Sequence, residues 1–286
     1  LGVVASTIVE KPHVSSVRPL VDTGFDLRYM ALWETFIGSG RMIFCQLDIT
    51  DRIARDAVAD KIFTKLAAYA MTPSTVQTRS IADITALPQQ PQNYVLQLKR
   101  GCKPQIEKSA ETLKDFVIFG GTIVASGLSM EDAQALIAAT GNRFSVKLET
   151  HWKNHLDSTR LPAVFAGISP AEIHWRRKVE APVVSDVPTD GWKSDTGVIA
   201  DIPIEKGRIV WLSAAASDFD TEWRKDMVFT RVKTERLLTL VLANCGIESG
   251  PSWTAFFGPD AKNGDQTLLY TDTRVNRDDP YADMRW

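Results

Sequence analysis

Cysteine is scarce in this chain and poorly placed for chemistry. The 286 residues hold three, Cys45, Cys102 and Cys245. No Cys-x-x-Cys occurs, so zinc ribbons and dithiol redox motifs have no footing. No cysteine sits in Gly-x-Cys-x-Gly and no serine in Gly-x-Ser-x-Gly, the strained turn that exposes a nucleophile. Cys45 lies between Phe44 and Gln46, while Cys102 follows Gly101 but precedes Lys103-Pro104. Cys45 and Cys245 fall in apolar stretches, where free cysteine packs as a small buried hydrophobe. An excess of either charge is also missing: 33 Lys and Arg against 35 Asp and Glu leave a net −2. That argues against a nucleic-acid partner, which calls for a clustered basic surface. The longest apolar run, Leu237 to Ala243, is well short of the ~18 residues of a membrane span. No signal peptide is visible; Leu1 runs straight into Val3-Val4-Ala5, which reads as a cleaved or truncated start, and nothing names the compartment.

What remains is an ordinary globular composition, 44% hydrophobic and 24% charged, of a length that suggests two domains. Its most informative feature is a repeat. Gly38-Ser39-Gly40-Arg41-Met42-Ile43-Phe44 returns as Glu205-Lys206-Gly207-Arg208-Ile209-Val210-Trp211, about 167 residues later, each followed by a long amphipathic stretch. Each copy reads as a tight glycine turn, a buried strand and a closing helix. The spacing points to two related α/β domains, since solenoid repeats run ~20–50 residues. A phosphate loop runs strand, glycines, helix; here strands flank the glycines, and Gly120-Gly121 closes a helix before a strand, so no nucleotide is expected.

Along the chain, residues 3–9 and Leu32 to Ile37 read as strands, and Met42 to Leu47 completes a hairpin. Asp56 to Ala70 has helical apolar spacing and ends at Pro73. Residues 73–92, rich in Pro, Gln, Ser and Thr, read as a linker. Then follow a strand at Tyr94 to Leu98, a helix at Ile106 to Phe119, a strand at Thr122 to Ala125, a helix capped by Ser129 and ended by Gly141, and a strand at Ser145 to Leu148. Ser169-Pro170-Ala171-Glu172 opens a short helix. Val179 to Asp195 reads as irregular. A hairpin over Val198 to Leu212 and a helix at Thr230 to Asn244, capped by Gly246, close the unit. This alternation implies a largely parallel sheet with a hairpin at one edge.

Several residues carry candidate chemistry. His174-Trp175-Arg176 joins an aromatic plate, a cation and a hydrogen-bonding ring, so a saccharide could stack on Trp175 while Arg176 holds its hydroxyls. The alternative is a packed indole beside a snorkelled arginine. Glu172 is placed either as a catalytic acid or as the capping partner of Ser169. His151 and His155 have the spacing of zinc ligands on a helix, but Trp152 stands where His-Glu-x-x-His needs glutamate, so no metal site is expected. Asp278-Asp279-Pro280-Tyr281 could offer oxygens to calcium, yet two carboxylates fall short of six to eight ligands. Glycoside hydrolysis needs two carboxylates ~5–10 Å apart, and no local pattern marks such a pair.

The runs Phe25-Asp26-Leu27 and Gly40-Arg41-Met42-Ile43-Phe44-Cys45-Gln46-Leu47-Asp48 resemble the C-terminal region of large bacterial beta-galactosidase-like glycoside hydrolases. So do Gly167-Ile168-Ser169 with His174-Trp175-Arg176, Arg236-Leu237-Leu238 with Ala243-Asn244, and Asp278-Asp279-Pro280-Tyr281. The resemblance implies an α/β, flavodoxin-like (class I glutamine amidotransferase-like) three-layer sandwich. It would comprise one complete domain over 93–250 and the C-terminal part of a second over 1–73, with a linker at 74–92 and a tail at 251–286. It implies a C-terminal piece without the catalytic barrel, hence an accessory segment with no catalytic residues and no cofactor. Its partners would be other domains of the parent protein, with a saccharide or a second copy as further candidates. A carbohydrate-binding module and a hydrolase with a dispersed carboxylate site are the rival readings.

Overall fold

A computed structural model describes residue 5 and residues 7–12, 17–24, 27–37, 40–72, 78–157, 160–219 and 227–247. Phe25-Asp26, the turn residues Gly38 and Ser39, Pro73 and the whole 251–286 tail with Asp278-Asp279-Pro280-Tyr281 lie outside the described residues. The chain divides into two compact units, Leu1–Gln77 with Gly250–Trp286, and Thr78–Ser249.

The first unit is an antiparallel sheet with one helix. Its strands are β1 (Val9–Glu10), β2 (Arg18–Thr23), β3 (Tyr29–Ile37) and β4 (Gly40–Cys45), with β3 paired to the other three. Of the strand read over 3–9, residues 3, 4 and 6 lie outside the described residues; Ala5 forms an isolated bridge with Leu47, and Val9 begins β1. Helix α1 (Ala57–Met71) starts at Asp56, whose carboxylate accepts the N–H of Val58 at 2.8 Å. That satisfies a helix donor that otherwise has no partner. Ile62 and Leu66 of α1 pack on Ala31, Leu32, Ile43 and Leu47. Trp33 and Phe44 stack at 5.2 Å in the cluster with Val9 and Met30.

The second unit is an α/β structure around a six-stranded mixed sheet. Its elements are β5 (Ser80–Ala82), β6 (Tyr94–Lys99), α2 (Lys103–Lys108), α3 (Ala110–Ile118), β7 (Thr122–Ser126), α4 (Met130–Ala139), β8 (Ser145–His151), α5 (Pro170–Ile173), β9 (Val179–Asp186), β10 (Trp192–Lys193), β11 (Ile199–Ile204), β12 (Gly207–Leu212) and α6 (Val228–Asn244). The sheet order is β10-β11-β12-β7-β6-β5. From β12 to β5 the pairing is parallel, and β11 and β10 add an antiparallel edge. Successive residues of the inner strands point to opposite faces. Leu96, Ile123, Ile209 and Trp211 meet Ile106, Leu113, Phe116 and Leu136 of α2–α4 on one side. Val95, Val124, Val210 and Leu212 meet Leu237, Leu240 and Val241 of α6 on the other. Such near-continuous burial is what a sheet covered on both faces requires.

Three sequence readings change here. Residues 80–82, inside the stretch read as a linker, form β5, held by Arg79, whose N–H donates to Gly246 O and whose guanidinium donates to Thr122 Oγ1, both at 2.8 Å. The helix read over Ile106 to Phe119 is two helices, broken at Ser109 and begun earlier, with Pro104 in the first turn; proline is tolerated there because that N–H has no helical acceptor. Val179 to Asp195, read as irregular, contains β9, which pairs antiparallel with β8 in a separate two-stranded ribbon.

The repeat is a structural duplication. The β3–β4 hairpin pairs Ile37 with Gly40 through Leu32 with Cys45, and the β11–β12 hairpin pairs Ile204 with Gly207 through Ile199 with Leu212. Every pair keeps one offset. The same offset carries the next hydrogen bond, Gln46 N–H to Ala31 O at 2.8 Å and Ser213 N–H to Val198 O at 2.9 Å. The third strand matches too: β2 places Arg18 opposite Glu34, and β10 places Trp192 opposite Asp201. A helix follows each hairpin and packs on the equivalent face, Leu32 and Ile43 under α1, Ile199 and Val210 in the cluster with α6. Gly207 serves packing, not the bend. A Cβ there would lie 2.2 Å from Val117 O, while Glu205 takes the positive φ of the turn.

Candidate functional site

In open α/β sheets, ligands bind outside the carboxyl ends of the parallel strands. Here β6 leads into Arg100-Gly101-Cys102, β7 into Gly127-Leu128-Ser129, and β12 into Ser213-Ala214-Ala215. Asp132 ties the first two loops together. Its carboxylate accepts Gly101 N–H at 2.9 Å, Lys103 N–H at 2.8 Å, Ser129 N–H at 3.1 Å and the Ser129 hydroxyl at 2.7 Å. Burial raises its pKa, but those bonds together outweigh it and hold the carboxyl below the usual carboxylate range. Arg100 joins the second and third loops, donating to Gly127 O at 3.1 Å and pairing with Asp218 at 2.7 Å. The other Asp218 oxygen accepts Ala215 N–H at 2.8 Å, and Arg177 donates to the Asp218 carbonyl. Gly127 has to be glycine: its φ is +60°, and a Cβ would sit 2.5 Å from that of Ala215.

Among the described residues this edge offers no activated thiol. Burial and the nearby Asp132 push the Cys102 thiol up to about 11, the reverse of the lowering that makes a cysteine reactive. Both carboxylates in the cluster are engaged with loop amides or a guanidinium. Cys245 is buried and its thiol is pushed up to about 12, first by burial. Cys45, in contrast to its expected burial, is exposed, because β4 is solvated along much of its length.

His174, Trp175 and Arg176 do not present a sugar platform. Trp175 is 3% exposed and packs at 5.9 Å against Phe219 within the α6-side core. A ring buried that deeply has no face left for stacking. His174 is exposed, and Arg176 lies over the Phe229 ring at 5.6 Å. Glu172 takes the capping role: it accepts the Ser169 N–H at 2.9 Å and the Ser169 hydroxyl, and its other oxygen faces Arg236 Nε at 3.3 Å. Asn244 donates to Val164 O at 3.1 Å and Ala166 O at 2.9 Å. Glu172 with Arg236, and Asn244 with the Val164 and Ala166 carbonyls, therefore fasten α6 to the 162–173 segment. His151 ends β8 beside Glu149, and His155 lies in a loop beside Asp195, so the two share no helical face. No group of three or more His, Cys, Asp or Glu side chains is placed to hold a metal ion among the described residues. Nor is any helix there long and apolar enough to cross a membrane.

Sequence reasoning missed a polar device common to both units. Glu34 lies diagonally across the first hairpin from Arg41, and Asp201 stands in the same position relative to Arg208. Glu34 is fully buried, 2.7 Å from Arg18, 3.2 Å from Arg41 Nε and 3.0 Å from the Tyr69 hydroxyl. The Tyr69 phenol is raised, first by burial and then by Glu34, which keeps it a donor. Asp201 pairs with Arg208 at 3.0 Å, but its second oxygen is buried without a hydrogen-bond partner. Burial raises its pKa, and the Arg208 charge offsets only part of that rise. The signal was available: an acid seven residues before the arginine in each copy of the repeat.

No family model matches this chain, and neither a curated protein nor a solved structure does.

Proposed function

We propose that this chain is a non-catalytic accessory segment of a beta-galactosidase-like glycoside hydrolase, built on flavodoxin-like, class I amidotransferase-like units. Such a segment braces a catalytic barrel, builds an oligomer interface or walls one side of a sugar cleft. The carrying observation is the duplicated strand–hairpin–helix plan without its nucleophile. The repeat keeps one register through six residue pairs, yet the thiol at the carboxyl edge of the sheet is suppressed by burial. Amidotransferase chemistry needs the opposite, a thiolate formed by a neighbouring base.

Incubation with aryl galactosides and with glutamine tests the reading. No turnover above a heat-denatured control is expected, and robust hydrolysis of either overturns it. Saccharide titration followed by tryptophan fluorescence tests the rival binding module. A saturable signal removed by Trp152→Ala, whose ring is 40% exposed, would favour binding over scaffolding.

A further inference from the structure

Asp201 lies in β11 with Trp192 of β10 opposite it on one edge and Val210 of β12 on the other. By strand alternation it shares the α6 side of the sheet with Ile199. Its side chain is only 10% exposed, yet Arg208 reaches one oxygen alone, and Oδ1 has no donor among the described residues. The charged and titratable groups around it come from four elements. β12 brings Arg208, and the turn before β10 brings Asp190, whose charge acts on Asp201. The end of α6 brings the Cys245 thiol, which feels Arg79, Arg208 and Asp201. Arg79, before β5, is held on Thr122 Oγ1 at 2.8 Å. The Asp190 turn is tight: Gly191 N–H donates to Pro188 O at 2.8 Å, and a Cβ on Gly191 would lie 3.3 Å from Asp201 O. It leads into β10, the two-residue edge strand next to β11.

We propose that Asp201 is a proton-operated latch on the β10 edge: protonated, it lets the 188–193 segment close on β11, and ionised, it loosens that segment through repulsion with Asp190. A buried carboxylate with one oxygen lacking a donor carries a desolvation cost that the neutral acid avoids. Burial raises the Asp201 pKa, Arg208 offsets part of the rise and Asp190 adds to it. The folded chain therefore holds this proton more tightly than the unfolded one. The stabilisation is fully present below the ordinary carboxylate value and is lost as pH rises through the higher folded value. Glu34 in the first hairpin has Arg18, Arg41 and Tyr69 around it, so the device belongs to the second copy.

Native-state hydrogen exchange on the full chain between pH 5 and 7.5, corrected for intrinsic rates, tests the latch. The Gly191 and Ser194 amides, which donate to Pro188 O and Ile199 O, should gain protection several-fold toward the acid end. The amides of β6 and β7 should show no matching change. Asp201→Asn should keep the high protection at every pH, and Asp190→Asn should shrink the pH-dependent span. Carbon-detected NMR of the parent chain needs no variant: the Asp201 carboxyl should titrate above the ordinary carboxylate range. An unchanged pH slope in Asp201→Asn, a flat profile in the parent, or a slope shared by β6 and β7 overturns the proposal. So does an Asp201 carboxyl that titrates at or below the ordinary range.

Discussion

Glu34 and Asp201 occupy equivalent places in the two hairpins, and loss of charge should affect them very differently. Glu34→Gln keeps the shape but turns an NH2 group toward a site lined by two guanidiniums, Arg18 and Arg41, which can only donate, beside the Tyr69 hydroxyl. One charge-assisted bond is lost outright and a second is weakened, each worth about 1.5–3 kcal/mol. Two guanidiniums, both largely buried, also lose their counter-ion; breaking a buried pair from one side costs about 3–5 kcal/mol. We therefore expect Glu34→Gln to destabilise the first unit by about 3–5 kcal/mol. Asp201→Asn removes one bond, to an Arg208 side chain that is 40% exposed and can turn its charge to water. It also relieves a carboxylate whose second oxygen has no donor. These effects oppose each other, so the net change at pH 7 should stay within about 1 kcal/mol of zero. Native-state hydrogen exchange separates the units, read at 29–45 for the first and 199–212 for the second. A cost above about 3 kcal/mol for Asp201→Asn, or below about 1 kcal/mol for Glu34→Gln, would refute the reasoning from hydrogen-bond satisfaction.

Alkylation at pH 8 should modify Cys45 first. A Cys102 thiol near 11 is thiolate in only about one molecule per thousand at that pH, so labelling of Cys102 at the Cys45 rate would contradict the burial argument. Asp132 should dominate acid unfolding of its loops. Its folded pKa is depressed, so its contribution is present above the unfolded carboxylate value and lost as pH falls through the lower folded one. Asp132→Asn should cost about 2–4 kcal/mol at neutral pH, from its lost cap and unsatisfied amides, and its urea midpoint should fall less between pH 5 and 3 than that of the parent. An unchanged pH slope would remove Asp132 from that role. Trp175→Ala should lower stability by about 3–5 kcal/mol, seen as a shifted calorimetric transition; a neutral effect would place the indole outside the core.

The legible parts of this fold were those fixed locally. Both hairpins were read from glycine turns between apolar strands, α1 from helical spacing, and α4 and α6 from spacing with their caps at Ser129 and Gly246. Strand β5 was hidden because three residues carry no periodicity, and only pairing with β6 makes Ser80–Ala82 a strand. The break at Ser109 was hidden because the apolar spacing continues through it. At the carboxyl edge of the sheet, the Asp132 link to Ser129 was half visible as an acid in the first turn of α4. The pairing of Arg100 with Asp218 joins residues far apart in sequence and leaves no local trace. The choice between a packed and an open Trp175 was not legible for a related reason. It lies between a four-residue helix and β9, where no period says which side faces the core.

What the two copies of the repeat keep, and what they let vary, bears on whether it serves recognition or packing. A ligand loop would keep the residues at its tip, but Gly38-Ser39 stands in one copy and Glu205-Lys206 in the other. The features held in common are the diagonal acid–arginine pair, the glycine before the arginine and the alternation that sends Leu32 and Ile43, or Ile199 and Val210, toward the closing helix. In the second copy that glycine lets β12 approach the end of α3, where any Cβ would strike the Val117 carbonyl. Polar detail diverges: Tyr69 completes the ring around Glu34, whereas Asp201 is left one donor short. Shared backbone register with divergent side-chain chemistry is the pattern expected of a packing unit used twice. Chemistry carried by the repeat would have constrained the side chains before the register.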